Sequence, residues 1–325
     1  MIRQPAINLK SLRFALYILP LFLVISIKHY KKISRNFNIS NVKLVKDDKV
    51  LENVDKLFYY PNSQLPNCSF EKESQLMGRL PVFLEAPTFE YLNALYPNIQ
   101  PGGHFYPNHC NAEQKVAILV PYRNRQSHLR IFLHNIHKTL QKQHIDYAII
   151  LIEPINNVTF NRDLIPEDDR NLYQCSKHPR HMSSHINKFD YELPYEYIFG
   201  GASAVSTEIF KLVNGYNNMY WGWGMEDDDL YNRIKYNRLQ ISRYPPEISR
   251  YYMIIHEHEI ENSLNYCRYA IFKYYKDKMN TEGLNNLNYT LKKIEFYHLY
   301  TKIIVDPLEE ISKQNLRELG ICSTI

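Results

Sequence analysis

The pattern of apolar and polar positions divides the chain into three parts. From Phe14 to Ile27 it reads FALYILPLFLVISI, apolar and uncharged, bracketed by Arg13 and Lys28. That is short for a membrane-spanning helix, which takes about 17–25 residues. No small-x-small cleavage site follows, since the next residues are Lys28, His29, Tyr30, Lys31 and Lys32. The stretch is therefore read as an uncleaved signal anchor, with a cleaved signal peptide as the alternative. Flanking charge does not orient it, because Arg3, Lys10 and Arg13 face Lys28, Lys31, Lys32 and Arg35. Residues 29 to 65 are polar, mixed in charge and weakly periodic, as in a stem.

Beyond the stem the periodicity becomes that of a packed domain. Val116 to Val120 predicts a short buried strand, followed at its C-terminal end by Pro121, Tyr122, Arg123, Asn124 and Arg125. A helix from Gln126 to Gln143 carries Leu129, Phe132, Leu133, Ile136 and Leu140 on one face. Tyr147 to Ile152 is the next strand, so a βαβ unit and a parallel sheet with ligands at the strand ends are expected. Further on, Phe199, Ala202, Ala204 and Val205 predict another buried strand. Ser206 or Thr207 caps a short helix that ends at Asn214-Gly215, where a left-handed residue is expected. A second helix begins within the acids Glu226 to Asp229, with Leu230 and Ile234 facing inward. The fold class is α/β.

Composition narrows the function classes. With 325 residues, 14% aromatics, 27 tyrosines and only 10 glycines, the chain can bury a core and does not read as disordered. A net charge of +5, spread along the chain, gives no nucleic-acid footprint. Five cysteines with no CxxC spacing argue against a zinc site. The sequons at Asn38, Asn67, Asn157 and Asn288 permit glycosylation but weigh little in an asparagine-rich chain.

The candidate chemistry gathers between Tyr195 and Asp229. Here lie both tryptophans (Trp221, Trp223), Gly200-Gly201 and four consecutive acids. Acids in a first helical turn are favoured by the macrodipole, so one reading is a simple N-terminal cap. The flanking indoles and glycines support another: carboxylates binding sugar hydroxyls while an aromatic stacks on the ring. Arg123 and Arg125 at a strand end suit a nucleotide diphosphate, or form a solvated loop. Met253 and His256 become credible metal ligands only with a carboxylate such as Asp163, and such a set suits octahedral Mn²⁺ better than zinc.

FGGASA followed by NGYNNMYWGWGMEDDDLYNR resembles the signature of the β-1,4-galactosyltransferase family, type II Golgi enzymes of the GT-A fold. The likeness extends through VAILVPYRNRQSHL, FNR, ISR, MIIH, EGLNNLNY and YTKIIVD, over residues 66 to 306. It implies a cytoplasmic tail (1–13), signal anchor (14–27), stem (28–65) and luminal catalytic domain (66–325) in the Golgi membrane. The implied reaction is an inverting transfer from UDP-GalNAc or UDP-Gal to the 4-hydroxyl of terminal β-GlcNAc on glycoproteins or glycolipids. Asp227 takes the base position, and Glu226 and Asp228 orient sugar hydroxyls. Pro121, Tyr122, Arg123, Arg125, Phe160, Asn161, Arg162, Ile198, Gly201 and Trp223 match UDP-sugar contacts. Lys188, Phe189, Tyr195, Arg268, Tyr269 and Phe272 match acceptor positions. Asp163, Met253 and His256 match Mn²⁺ ligands, Cys68 and Cys110 match a family disulfide, and Cys175 matches a cysteine whose partner is absent. Cys267 and Cys322 match nothing.

Three departures from the family pattern carry expectations. Ile198 stands where galactose-specific members have a tyrosine, leaving room for an acetamido group, which favours GalNAc as the donor sugar. Met225 stands where the family has glycine and is strained if that position needs a positive φ. Phe160-Asn161-Arg162 runs directly into Asp163-Leu164-Ile165-Pro166, whereas the family inserts a helix, a cysteine-bearing strand and an Asp-Val-Asp motif. Part of the central sheet is thus expected to be missing, as in a splice or gene-model variant, and catalysis to be weak or absent with residual sugar and UDP binding. The rival readings are a lectin-like protein that binds sugar without turnover, and a structural secretory membrane protein.

Overall fold

The computed structural model describes residues 22–26, 64–68, 76–155, 164–254 and 264–323. In chain order the early elements are β1 (Phe22–Ser26), α1 (Phe89–Leu95), β2 (His104–Phe105), β3 (Lys115–Pro121), α2 (Gln126–Lys142) and β4 (Asp146–Pro154). Then come β5 (Leu164–Pro166), β6 (Arg180–His181), β7 (His185–Ile186), β8 (Ala202–Ser206), α3 (Thr207–Leu212) and α4 (Glu226–Tyr236). The last are β9 (Ser242–Arg243), β10 (Arg250–Met253), α5 (Arg268–Tyr275), β11 (Thr290–Phe296), β12 (Thr301–Asp306) and α6 (Glu309–Glu318).

Among the described residues the main sheet has nine strands in the order β11-β12-β4-β3-β1-β8-β6-β9, with β2 against β4. The predicted βαβ unit is β3-α2-β4, with β3 and β4 parallel from Lys115↔Asp146 to Pro121↔Ile152. Side chains alternate across these strands, and the two faces build two cores. Val116, Ile118 and Val120 of β3 and Tyr147, Ile149 and Leu151 of β4 pack with Leu129, Phe132, Leu133, Ile136 and Leu140 of α2. Leu119, Ile152 and Val205 face the other way, onto Phe210 of α3 and Leu230 and Ile234 of α4. The result is a three-layer α/β/α domain with the C-terminal ends of β3, β4 and β12 toward one edge.

The centre of this sheet holds a result that the sequence pattern did not suggest. Between β3 and β8 lies β1, antiparallel to β3 (Leu23↔Leu119 to Ser26↔Val116) and parallel to β8 (Phe22↔Ala202 to Ser26↔Ser206). These five residues belong to the stretch read as a signal anchor. An apolar run serves a buried strand as well as a membrane, and unpaired backbone groups on two interior strands are costly enough to recruit it. The same five residues cannot pair with β3 and β8 and lie in a bilayer at once. No helix among the described residues is long and apolar enough to cross a membrane. The rest of the 14–27 stretch lies outside the described residues.

A second, three-stranded sheet (β5-β10-β7) sits beside the first. Its register sets Met253 opposite Leu164, the residue that follows Asp163. Cys68 and Cys110 are disulfide-bonded as the resemblance implies, with Cα atoms 4.9 Å apart. Cys175 is buried and stands outside both disulfides, while Cys267 and Cys322 form a second bridge across 5.7 Å between Cα atoms.

Candidate active site

A cleft of about 1140 Å³ opens at the N-terminus of α4. Why α4 starts there is local. The left-handed Met225 (φ 71°) turns the chain from the WGWG loop into the helix. A side chain in that conformation costs about 1–2 kcal/mol relative to glycine. Ser206 caps α3 through a 3.2 Å bond from the Ile209 N–H, and α3 gives way to Asn214 and Gly215, both at positive φ.

The four acids then divide by direction. Asp229 is fully buried and its Oδ2 accepts a 2.6 Å bond from Arg233 Nε, one turn along. Burial raises the Asp229 carboxyl pKa, and the Arg233 guanidinium opposes the rise. Arg233, itself fully buried, also donates to the carbonyl of Glu282 (2.8 Å) and thereby holds the 282–286 loop against α4. Asp229 is thus a structural residue, as the capping view allows. Glu226, Asp227 and Asp228 instead line the cleft. Glu226 Oε2 accepts from the Gly224 N–H at 3.2 Å.

Across from the acids the cleft is lined by Trp223, Ile198, Lys188, Phe189, Tyr195, Met253, Arg268 and Tyr269. The structure therefore gathers into one place most of the residues expected to touch sugars. Trp223 is 47% exposed, and its carbonyl accepts from the Asn265 N–H at 3.1 Å. The segment carrying Ile198 is held by its alternate carbonyls. Arg243 Nη2 donates to the carbonyls of Glu196 (2.7 Å) and Ile198 (3.0 Å). His181 Nδ1 accepts from Arg243 Nε (3.3 Å), which leaves Nε2 to donate to the Gly200 carbonyl at 2.8 Å. Burial lowers the His181 pKa to about 3, so this imidazole is neutral in the folded protein. These bonds explain the ISR motif.

Other expected residues fall elsewhere. Gly201 does not line the cleft; a Cβ there would strike the Ser183 hydroxyl, and its φ is +82°. Its glycine serves close packing. Phe272 is half-buried on α5 and off the cleft lining. Pro121, Tyr122, Arg123 and Arg125 line a separate small recess at the end of β3. Phe160, Asn161, Arg162, Asp163 and His256 lie outside the described residues, leaving Met253 as the described member of the metal set. Met253 is buried, and its N–H donates to Asn187 Oδ1 at 2.7 Å. The Met253 backbone is thus tied to the turn Asn187–Phe189, on a strand register that brings the Leu-Ile-Pro segment alongside. No group of three His, Cys, Asp or Glu side chains with metal-binding proximity occurs among the described residues.

Some cleft residues escaped the sequence reading. Tyr216 is 4% exposed and lines the cleft, and its hydroxyl has no hydrogen-bond partner among the described residues. Burial raises its pKa far above the ordinary value, and Asp227 and Glu226 raise it further. Glu282 accepts from Asn286 Nδ2 (2.6 Å) and the Asn218 N–H (3.3 Å), tying EGLNN to NGYNN. The C-terminal residues Ile311, Ser312 and Asn315 form one wall.

Comparison with known proteins finds similar sequences and structures. A family model described as the N-terminal region of glycosyl transferase group 7 matches residues 68–163, and one described as the N-terminal domain of galactosyltransferase matches residues 180–257. β-1,4-Galactosyltransferase 1 of Mus musculus is 38% identical over 268 residues, 74% of this chain and 67% of that protein. β-1,4-Galactosyltransferase 6 of Rattus norvegicus is 36% identical over 282 residues, 78% of this chain and 72% of that protein. Among solved structures, the catalytic domain of Drosophila β-1,4-galactosyltransferase 7 with xylobiose aligns at a TM-score of 0.46 and 24% identity, covering 58% of this chain and 92% of that one. A mutant of that enzyme with manganese, UDP-Gal and xylobiose aligns at 0.46 and 23%, with the same coverage.

Proposed function

The chain belongs to the β-1,4-galactosyltransferase family, and on that premise we propose that its cleft binds a UDP-sugar and a GlcNAc-terminated acceptor for inverting transfer to the 4-hydroxyl. The observation that carries this reading is the division of the acids. Three carboxylates at the head of α4 face a cleft walled by Trp223, Tyr195 and Arg268, while the fourth is locked away on Arg233.

Asp227 acts as the base that removes the acceptor hydroxyl's proton as the glycosidic bond forms, a task that needs a carboxylate within hydrogen-bond reach. Glu226 and Asp228 orient sugar hydroxyls, and Trp223 stacks on a ring face. Arg268 and Tyr269 hold the acceptor. Pro121 to Arg125 and Phe160 to Arg162 contact the UDP. Met253, with Asp163 and His256, would hold Mn²⁺, for which a thioether, an imidazole and a carboxylate are a suitable set. That ion would neutralise charge on the departing UDP. The chain supplies one carboxylate for this task, because Asn161 stands two residues before Asp163. Glycoproteins or glycolipids are the acceptors, and the cleft faces the Golgi lumen behind a type II anchor at 14–27. The strand placement of Phe22–Ser26 is the structural rival to that anchor.

For the donor we favour UDP-GalNAc over UDP-Gal. Ile198 lines the cleft with its backbone held by Arg243, which supports reading its side chain as the one that meets the donor sugar. An isoleucine offers no hydroxyl to the sugar and leaves space beside its 2-position. The test is donor competition in the parent chain and in Ile198→Tyr. The tyrosine variant should move the UDP-Gal to UDP-GalNAc preference toward galactose by about tenfold, the effect of about 1.4 kcal/mol. An unchanged ratio contradicts the donor assignment.

A further inference from the structure

Two cysteines without a motif and a C-terminal helix without a role turn out to meet behind the acceptor residues. Cys267, Ile271 and Tyr275 recur every four positions and form one stripe of the α5 segment, all buried. Against that stripe pack Leu316 of α6, which is fully buried, and Cys322, which is bonded to Cys267. Arg268 and Tyr269 lie off this stripe and line the cleft, with the Arg268 guanidinium 4.6 Å from the Tyr269 ring centroid. One surface of α5 therefore touches the C-terminal tail while another forms the cleft wall.

The same tail reaches the tryptophan loop. Ser312 Oγ accepts a 2.7 Å bond from Trp221 Nε1 and stands 3.3 Å from the Asn218 carbonyl, to which it donates. The chain after α6 turns back through Gly320 at φ 65°, and the Cys322 N–H closes onto the Leu316 carbonyl at 3.2 Å. The WGWG loop in turn lies directly on α5, since a Cβ at Gly224 would come within 2.9 Å of Arg268 Cδ. Two elements that must keep a common geometry, α5 and the WGWG loop, are thus referenced to one tail.

We propose that residues 307–322 are a positioning brace, which holds the acceptor-binding surface of α5 through the Cys267–Cys322 disulfide, Leu316 packing and the Ser312–Trp221 bond. The proposal rests on the reading of Arg268 and Tyr269 as acceptor contacts. The covalent tie enters α5 one residue before Arg268, so losing it releases the residue that meets the acceptor. The recess at the end of β3 is lined by residues of β3 and α2 and the turn between them, none from the tail.

The experiment uses the full chain and two variants, Cys322→Ser and Leu316→Ala, the second retaining the disulfide. Affinity for a β-GlcNAc glycoside and for UDP is measured by calorimetry, and hydrogen exchange is followed across residues 268–275. Cys322→Ser should weaken glycoside binding about tenfold and speed exchange in α5, with UDP affinity unchanged. Leu316→Ala should weaken glycoside binding by a smaller factor. Should Cys322→Ser fail to fold, as loss of UDP binding would reveal, Leu316→Ala decides alone. Unchanged glycoside affinity in the folded variants, with a parent that binds the glycoside, overturns the brace. A parent that binds UDP but no glycoside overturns the acceptor reading of α5, and the brace with it. An equal loss of UDP and glycoside affinity in Leu316→Ala marks the tail as merely structural and also contradicts the proposal.

Discussion

Two regions of the molecule differ. On one side, residues 195–236 hold the parts of the proposed sugar site: a clamped loop before β8, a left-handed entry to α4, three acids in the cleft and a fourth in a buried ion pair. On the other, FNR meets DLIP with nothing between them, and the sheet interior beside β3 is completed by a strand from the far N-terminus. On the proposed function, the difference teaches that recognition and turnover rest on separable parts of this fold. A carboxylate cluster on a helix start needs only its own local supports. In the proposed mechanism, a metal-assisted departure of UDP needs a strand end and a carboxylate pair in register, and the sequence runs from Arg162 straight to Asp163 without the segment that the family resemblance places there.

The intact side can be broken from within. Arg233→Leu leaves Asp229 buried without its partner and releases the Glu282 carbonyl. Removing one partner of a buried pair costs about 3–5 kcal/mol. Thermal unfolding should show that loss, together with exposure of the 282–286 loop to protease. A variant as stable as the parent would mean that α4 is held by other contacts.

The repaired side is tested at β1. Val24 pairs with both Ile118 and Ala204, and a proline there removes a backbone donor from the middle of the sheet. Val24→Pro should lower stability by about 1–3 kcal/mol, the cost of one buried unpaired group. If residues 14–27 span a membrane instead, the protein partitions into detergent and Val24→Pro leaves domain stability unchanged. Either result shows how the sheet interior is completed.

A smaller effect sharpens the contrast through pH. His181, on the intact side, has its pKa lowered by burial from 6.5 to about 3. Between those values the unfolded chain binds a proton that the folded chain refuses, so stability rises with pH in that window. It is fully present above pH 6.5 and is lost as pH falls toward 3. Melting temperature should therefore fall on acidification below pH 6.5, and His181→Gln should flatten part of the slope. An unchanged slope in that variant would place the acid sensitivity elsewhere, with His137, which burial also lowers to about 3, the next residue to replace.

Much of this was legible in the sequence where a repeat or a motif encodes it. The β3-α2-β4 unit follows from two periodicities, and the helix that starts at Glu226 follows from the acids and from Leu230 and Ile234. Other features leave no such trace. Phe22–Ser26 reads alike as membrane and as buried strand, because both solvents select the same residues. Asp229 and Asp227 have the same side chain, and only their positions around the helix send one to Arg233 and the other to the cleft. Arg243 and His181 grip backbone carbonyls, which carry no residue identity. The Cys267–Cys322 pairing depends on a three-dimensional approach that spacing does not contain.

On the proposed function, the sugar site is retained and most of the turnover is lost with the strand and the second metal carboxylate. The direct measurement is Mn²⁺-dependent transfer from UDP-GalNAc to a β-GlcNAc glycoside, made on this chain and on a form with the family's missing block restored between Arg162 and Asp163. Asp227→Asn in each background serves as the blank. The two forms should bind the glycoside comparably, while the restored form transfers at least about a hundredfold faster, through the metal assistance to the departing UDP that the short form lacks. Comparable turnover from the two forms, both abolished by Asp227→Asn, would contradict the account.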